Sequence, residues 1–130
     1  MSSSAPVIAG VDFLCVPTRN YEAAASFYGD VLGLPFGKRW GSMPAGEFET
    51  GNLTLVVWEP EAFGSAFQPR TDPLALRVDD VEAARSALES RGVEFEGDLI
   101  DSGSCHQLMF RDPDGNLLDL HHKYAPVAAE

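Results

Sequence analysis

The sequence predicts an α+β fold made of two tandem βαβββ modules, and three observations lead to this prediction. The segment NYEAAASFYGDVLGLPF (20–36) resembles DVEAARSALESRGVEF (80–95). The segment GNLTLVVW (51–58) resembles GNLLDLHH (115–122), so the order of elements repeats along the chain. Each helical segment follows an extended apolar run, VDFLCVPT in the first half and PLALRV in the second. We therefore expect each half to form a strand, a helix and three further strands.

The two helices have recognisable ends. Asn20 suits the N-cap of the first helix, and Asp79 or Asp80 suits that of the second. Gly33 and Gly92 stand where a helix commonly ends in a left-handed residue. The expected helices cover about 20–32 and 80–91, in module one (about 8–58) and module two (about 73–122), with a linker over about 59–72. The expected strands lie near 8–17, 36–41, 45–50, 52–58, 73–78, 93–99, 104–111 and 116–122.

The composition limits the classes of partner. The chain has 20 Asp and Glu against nine Lys and Arg, a net charge of −11. Nucleic acid and acidic membrane surfaces are disfavoured as partners, because both need a basic face. No apolar run approaches the roughly 18 residues of a membrane span, and MSSSAPVIAG lacks the pattern of a secretory signal. We expect one cytoplasmic domain over residues 1–130, with Cys15 and Cys105 reduced.

The segment DPDG (112–115) predicts a tight hairpin turn. Its Pro-Asp centre suits a type I turn, and its glycine suits the left-handed position that follows. Counting outward from this turn places Met109 opposite Asp119 and Gln107 opposite His121, all on one mixed side of the hairpin. The other side is uniformly apolar and should pack against a helix; it holds Leu108, Phe110, Leu118 and Leu120.

The same alternation predicts further residues on the mixed side. It applies to the matching strand of the first half and to the leading strand of each half. Matching GNLTLVVW to GNLLDLHH aligns Leu55 with Asp119. Side chains two residues apart on a strand point the same way. The further residues expected on the mixed side are therefore Leu53, Leu55, Val57, Phe13, Cys15, Cys105, Ala75 and Arg77.

The chain resembles a known family. FYGDVLGLPF and FRDPDGNLLDLH, set in tandem βαβββ modules, are similar to segments of the vicinal oxygen chelate superfamily. That superfamily includes glyoxalase I, extradiol dioxygenases, fosfomycin-resistance enzymes and bleomycin-resistance proteins, and the resemblance covers about residues 8–122. It implies that the two sheets form an open, cup-shaped barrel around a ligand, with the helices outside and the mixed side facing the cup. It also implies a homodimer.

The metal enzymes of this superfamily place four ligands in the cup. Carried over by position, the four become Phe13, Leu55, Pro73 and Asp119, of which only Asp119 can bind a metal. A divalent metal needs three or more N, O or S ligands. His121 shares a strand face with Asp119 and adds one ligand, which still leaves too few. We therefore expect no metal and no cofactor.

The sequence leaves three functions open. The first is a metal-independent protein that holds a small molecule in an apolar cup, with Asp119 as polar anchor. The resemblance to bleomycin-resistance proteins and the net charge favour a ligand that is cationic or aromatic. The second is a metal-free isomerase or lyase with Asp119 and His121 as acid and base, and the third is a metal enzyme with a reorganised site. The expected ligand-binding residues are Phe13, Trp40, Leu55, Val57, Arg77, Gln107, Met109, Asp119 and His121.

Overall fold

The computed structural model describes residues 6–126, which form two four-stranded sheets and two α-helices. Sheet A has the strand order β1-β4-β3-β2, and sheet B has the order β5-β8-β7-β6. The elements are β1 (Phe13–Pro17), α1 (Tyr21–Ser26), β2 (Phe36–Arg39), β3 (Ala45–Glu49), β4 (Thr54–Trp58), β5 (Leu74–Arg77), α2 (Val81–Glu89), β6 (Phe95–Asp101), β7 (Cys105–Arg111) and β8 (Leu117–Lys123). The leading strand of each module pairs in parallel with the last strand. The two βαβββ modules are thus confirmed, and their sheets form an open cup without closing into a barrel.

Both helices begin at the side chain that caps them. The Asn20 carboxamide oxygen accepts a hydrogen bond from the Ala23 amide at 3.1 Å. The Asp80 carboxylate accepts one from the Ala83 amide at 2.9 Å, so Asp80 and not Asp79 is the second cap. After Ser26 the first helix widens into a π-helical segment, Phe27–Val31, which the sequence did not predict. Within residues 6–126, neither helix has the length and apolar character needed to cross a membrane.

The first strand is shorter than the sequence predicted. It begins at Phe13, opposite Thr54, because β4 is its one neighbour in sheet A and β4 begins there. Residues 6–12 therefore have no strand to pair with, and their apolar side chains are open to solvent: Val7 is 96%, Ile8 75% and Val11 71% exposed. Within the stretch expected to be the linker, Pro60–Phe63 form a 3₁₀ turn.

Two apolar cores hold the helices on the sheets. Sheet A packs against Tyr21 and Ala24 of α1 and against Tyr28. Sheet B packs against Val81 and Leu88 of α2 through the four side chains predicted from the hairpin, Leu108, Phe110, Leu118 and Leu120. Phe27, Leu32 and Leu74 contact both cores, so the two modules meet on their helix-bearing sides.

A buried polar network joins the modules at the DPDG turn. Asp112 accepts hydrogen bonds from the Tyr28 hydroxyl and the Asn116 carboxamide, each at 2.7 Å, and from the Asp114 and Asn116 amides, each at 2.9 Å. Asn116 also donates to the Pro17 carbonyl at 2.8 Å. Gly115 has a φ of 88°, as the predicted turn requires. The turn therefore both reverses the chain and fastens module two to module one.

Candidate ligand-binding site

The cup face of each sheet is defined here as the face opposite its helix. In sheet B the strands pair Met109 with Asp119 and Gln107 with His121, as the turn predicted. On the other side of β8, Ala75 pairs with Asp119 and Arg77 with His121. Paired residues share a face of the sheet. Arg77, Gln107, Met109, Asp119 and His121 therefore lie together on the cup face of sheet B.

Asp119 is the buried carboxylate of this face. Its residue is 2% exposed, and its Oδ1 accepts a hydrogen bond from the Leu108 amide at 3.2 Å. Burial raises the pKa of this carboxyl, while the Leu108 hydrogen bond and the nearby His121 act in the opposite direction. Within residues 6–126 the structure gives its side chain no other hydrogen-bond partner. A buried carboxylate with one such partner is poised to take a donor or a cation from a ligand.

This environment predicts how Asp119→Asn changes stability with pH. Because the folded pKa lies above the ordinary 3.8, the native state binds a proton that the unfolded chain has released, and its stability falls as the pH rises through that interval. Asparagine keeps an oxygen for the Leu108 amide and carries no charge. At neutral pH the variant should therefore have a larger free energy of unfolding than the wild type. The gain should shrink as the pH falls through the folded pKa and vanish below about 3.8.

Urea unfolding of both proteins from pH 3 to pH 7 measures this difference. At each pH the free energy of unfolding of the wild type is subtracted from that of the variant. The contributions of the other carboxyl groups cancel in this difference, because those groups are present in both proteins. A variant that is less stable than the wild type at pH 7 would show that the ionised Asp119 stabilises the fold.

The face predicted for the last strand of module one is wrong. Leu55 and Val57 are 1% and 0% exposed and belong to the core beneath α1, together with Tyr21 and Tyr28. They do not face the cup. Their neighbours on β4 occupy it instead, since Val56 pairs with Cys15 and Thr54 pairs with Phe13.

A difference of one residue between two loops explains the error. In sheet A, Glu49 pairs with Thr54 across four residues, 50–53. In sheet B, Arg111 pairs with Leu117 across five residues, 112–116. Aligning the two GN motifs ignores this deletion and shifts β4 by one position, and a shift of one residue exchanges the two faces of a strand. Val56, not Leu55, is the counterpart of Asp119.

The cup face of sheet A is aromatic and acidic. The Phe13 and Trp40 rings meet edge to face with centroids 5.7 Å apart. The Trp40 indole N–H donates to Glu47 Oε2 at 2.8 Å. Beside them, the Thr54 hydroxyl donates to Glu49 Oε1 at 2.7 Å. Phe13 thus lies on the face that the alternation predicted, and Trp40 contacts it there.

Sequence reasoning missed both glutamates. The alternation in AGEFE (45–49) was the available signal. Phe48 has to face the core, as its burial at 2% confirms, so Glu47 and Glu49 have to face the other way.

The donor set does not fit the metal of the superfamily's metal enzymes. With the corrected register the four equivalent positions hold Phe13, Val56, Pro73 and Asp119, so one of the four can bind a metal. Within residues 6–126 no three His, Cys, Asp or Glu side chains come together in a way that could hold an ion. Metal sites of known proteins need at least three such ligands. The residues at these four positions thus do not fit the divalent metal of those enzymes.

Two of the three histidines have structural contacts away from the cup face. His122 Nδ1 lies 3.1 Å from the Val78 carbonyl oxygen. His106 Nε2 lies 3.3 Å from an Asp101 carboxylate oxygen, and its ring packs on Tyr124. His121 is therefore the histidine that accompanies Asp119.

Comparisons with known proteins agree with this architecture. The model of the Glyoxalase/Bleomycin resistance protein/Dioxygenase superfamily matches residues 10–120. TnmS3, an antibiotic binding protein from Streptomyces sp. CB03234, is 29% identical, with a TM-score of 0.74 over 92% of this chain and 99% of that one.

Two more distant structures share the fold. A superfamily member from Sphaerobacter thermophilus is 22% identical, with a TM-score of 0.77 over 91% of this chain and 100% of that one. Lactoylglutathione lyase from Agrobacterium tumefaciens is 18% identical, with a TM-score of 0.72 over 90% and 96%. Since the family model covers most of the chain, the protein belongs to the Glyoxalase/Bleomycin resistance protein/Dioxygenase superfamily.

Proposed function

We propose that this protein binds a cationic, aromatic small molecule on its cup faces without a metal ion, with Asp119 as the polar anchor. The observation that carries the proposal is the pairing of the Phe13 and Trp40 rings with the carboxylate of Glu47. An aromatic face attracts a cation, and a neighbouring carboxylate adds a direct charge interaction. Glu47 already accepts the indole N–H through one oxygen, which fixes the tryptophan ring and leaves the other oxygen for a ligand.

The charges of the chain favour the same ligand class. Among the described residues, four carboxylates lie on the cup faces, those of Glu47, Glu49, Glu96 and Asp119, and of these Glu96 is ion-paired with Arg111. The chain as a whole carries −11, so its field attracts cations from solution. Asp119 has one polarizable and two polar neighbours on its face, Met109, Gln107 and His121. Such a mixture is typical of a pocket that orients its ligand rather than of a purely anionic surface.

The relatives support binding as the activity. TnmS3, at 29% identity over nearly its whole length, is described as an antibiotic binding protein. The superfamily name also includes bleomycin resistance proteins. We extend to this chain the general class, a bound drug-like molecule, and not the particular antibiotic.

We expect a homodimer, because the structure leaves apolar side chains that a second copy would cover. Val7, Ile8, Val11 and Phe13 are 96%, 75%, 71% and 44% exposed, all on or just before the edge strand β1. Light scattering at micromolar concentration should give twice the mass of one chain. Changing Val7, Ile8 and Val11 together to serine should lower that mass toward one chain. A monomer mass for the unchanged protein would contradict the expectation.

Metal independence and ligand class can be tested together with ethidium, a cationic planar aromatic. We expect calorimetric titration to give the same affinity before and after dialysis against EDTA. Glu47→Gln should weaken binding, since it removes the charge beside the rings but keeps an oxygen for the indole N–H. Glu61→Gln, on the exposed linker, is the matched control and should leave binding unchanged. Loss of binding with EDTA, or no binding at all, would contradict the proposal.

One observation favours a second function. Asp119 combines a pKa raised by burial with a neighbouring histidine, and such carboxylates can act as general acid or base. A metal-free isomerase or lyase using Asp119 and His121 is therefore the alternative. It predicts turnover of a bound carbonyl compound that Asp119→Asn abolishes without weakening its binding.

The cytoplasmic location expected from the sequence stays a prediction.

A further inference from the structure

A cavity lies between the two modules and borders the cup face of sheet B at the edge strand β5, through Ala75 and Arg77. It has a volume of about 470 Å³, within the range of small-molecule sites. One wall comes from the end of the π-helical segment and the β3–β4 loop, and the other from β5 and the inner side of α2. Its apolar lining is Leu32, Leu34, Leu53, Leu55, Leu74, Ala75, Leu76, Val78, Ala84, Ala87, Leu88 and Leu120. We call it the intermodule groove.

The charges of the intermodule groove are opposite to those of the chain. Asp and Glu make up 20 of the 130 residues, yet none of them is among the residues that line it. Arg77 and Arg91, two of the nine cationic residues, do line it. The groove is therefore a local site of positive charge in an acidic protein, which selects an anion against the field of the whole molecule.

Both arginines have donors to offer a ligand. Arg91 uses one guanidinium N–H to donate to the Val31 carbonyl at 2.8 Å, which holds the side chain across the groove from α2 to module one. A guanidinium has five N–H donors, so most of them stay available. Within residues 6–126 the Arg77 side chain makes no hydrogen bond or ion pair. Arg77 is on β5, an edge strand, and its side chain borders the groove.

We propose that the intermodule groove binds an amphipathic monocarboxylate, with its apolar body among the leucines and its carboxylate at Arg77 and Arg91. The leucines supply burial of the body, and guanidinium groups match a carboxylate in geometry and charge. This ligand differs in charge from the one proposed for the cup faces and uses no cup-face carboxylate. Arg77 borders both the groove and the cup face, but binding of the carboxylate in the groove does not require that the cup faces bind a cation.

Decanoate at submicellar concentration is the probe, measured by isothermal titration. Ala87→Phe puts a ring into the groove, and we expect it to weaken decanoate binding at least tenfold. Ala83→Phe, a change at another exposed alanine of α2 that does not line the groove, is the matched control and should leave the affinity unchanged. Arg91→Gln should weaken binding several-fold, and decyltrimethylammonium, of similar chain length and opposite charge, should bind at least tenfold more weakly than decanoate.

The opposite outcomes overturn the proposal. Equal decanoate affinity in the wild type and in a folded Ala87→Phe variant would show that the groove is not the site. Equal affinity for decyltrimethylammonium would show that the arginines do not select the ligand. Weaker decanoate binding in Asp119→Asn would place the ligand on the cup face instead. If Ala87→Phe does not fold, the Arg91→Gln and cationic-probe results decide.

Discussion

Replacing Asp112 with alanine is expected to lower the free energy of unfolding by roughly 3–5 kcal/mol. The carboxylate accepts four hydrogen bonds while its residue is 5% exposed. Alanine would leave the buried Tyr28 hydroxyl without an acceptor, and the Asn116 carboxamide would lose one of its two acceptors and keep the Pro17 carbonyl. Each such loss costs about 1–3 kcal/mol. Tyr28 stays protonated as a donor at all ordinary pH values, because burial and Asp112 raise its pKa.

Urea unfolding measures this loss, and two variants separate its parts. Tyr28→Phe removes a single hydrogen bond to Asp112 and should cost about 1–2 kcal/mol. Asp114→Ala changes the same turn at a less buried side chain that accepts one bond, from the Arg19 amide at 2.9 Å, and should cost under about 1 kcal/mol. An Asp112→Ala protein within about 1 kcal/mol of the wild type would show that the network does not fasten the modules.

Replacing Asp119 with asparagine is expected to weaken binding of a cationic ligand by about 1–3 kcal/mol. Asparagine has the same shape and can still accept the hydrogen bond of the Leu108 amide, so the fold should be retained. The ligand, however, would lose the negative charge that offsets its own in a buried setting. The variant should thus have a larger free energy of unfolding at neutral pH but a lower affinity for the ligand. A gain in stability with a loss of binding is expected when the residue replaced is a functional one.

Local chemistry made most of the fold predictable. The N-caps Asn20 and Asp80 and the glycine-containing DPDG turn each require particular residue types, and these are visible in the sequence. The turn fixed the register of β7 and β8, so the faces of Met109 and Asp119 came out correctly. The start of β1 could not be read in this way. It depends on where its neighbour β4 begins, and this is a tertiary property.

The cup face was predictable in module two but not in module one, because only module two has a turn of known type next to the strand in question. In module two the faces followed from a turn of known type, whereas in module one they were copied from the repeat. Because the alignment did not allow for the shorter loop at 50–53, it predicted the wrong face for Leu55 and Val57. The intermodule groove was not predictable, because it arises where two modules meet.

The affinity of ethidium for the wild type and for Asp119→Asn, measured by calorimetry at neutral pH and low salt, tests the central claim most directly. The proposed site predicts saturable binding to the wild type and binding weaker by about 5- to 150-fold in the variant, the range that corresponds to 1–3 kcal/mol. Circular dichroism should show the same fold for both proteins. Equal affinity in two folded proteins would contradict Asp119 as the anchor and make it an ordinary buried residue of β8.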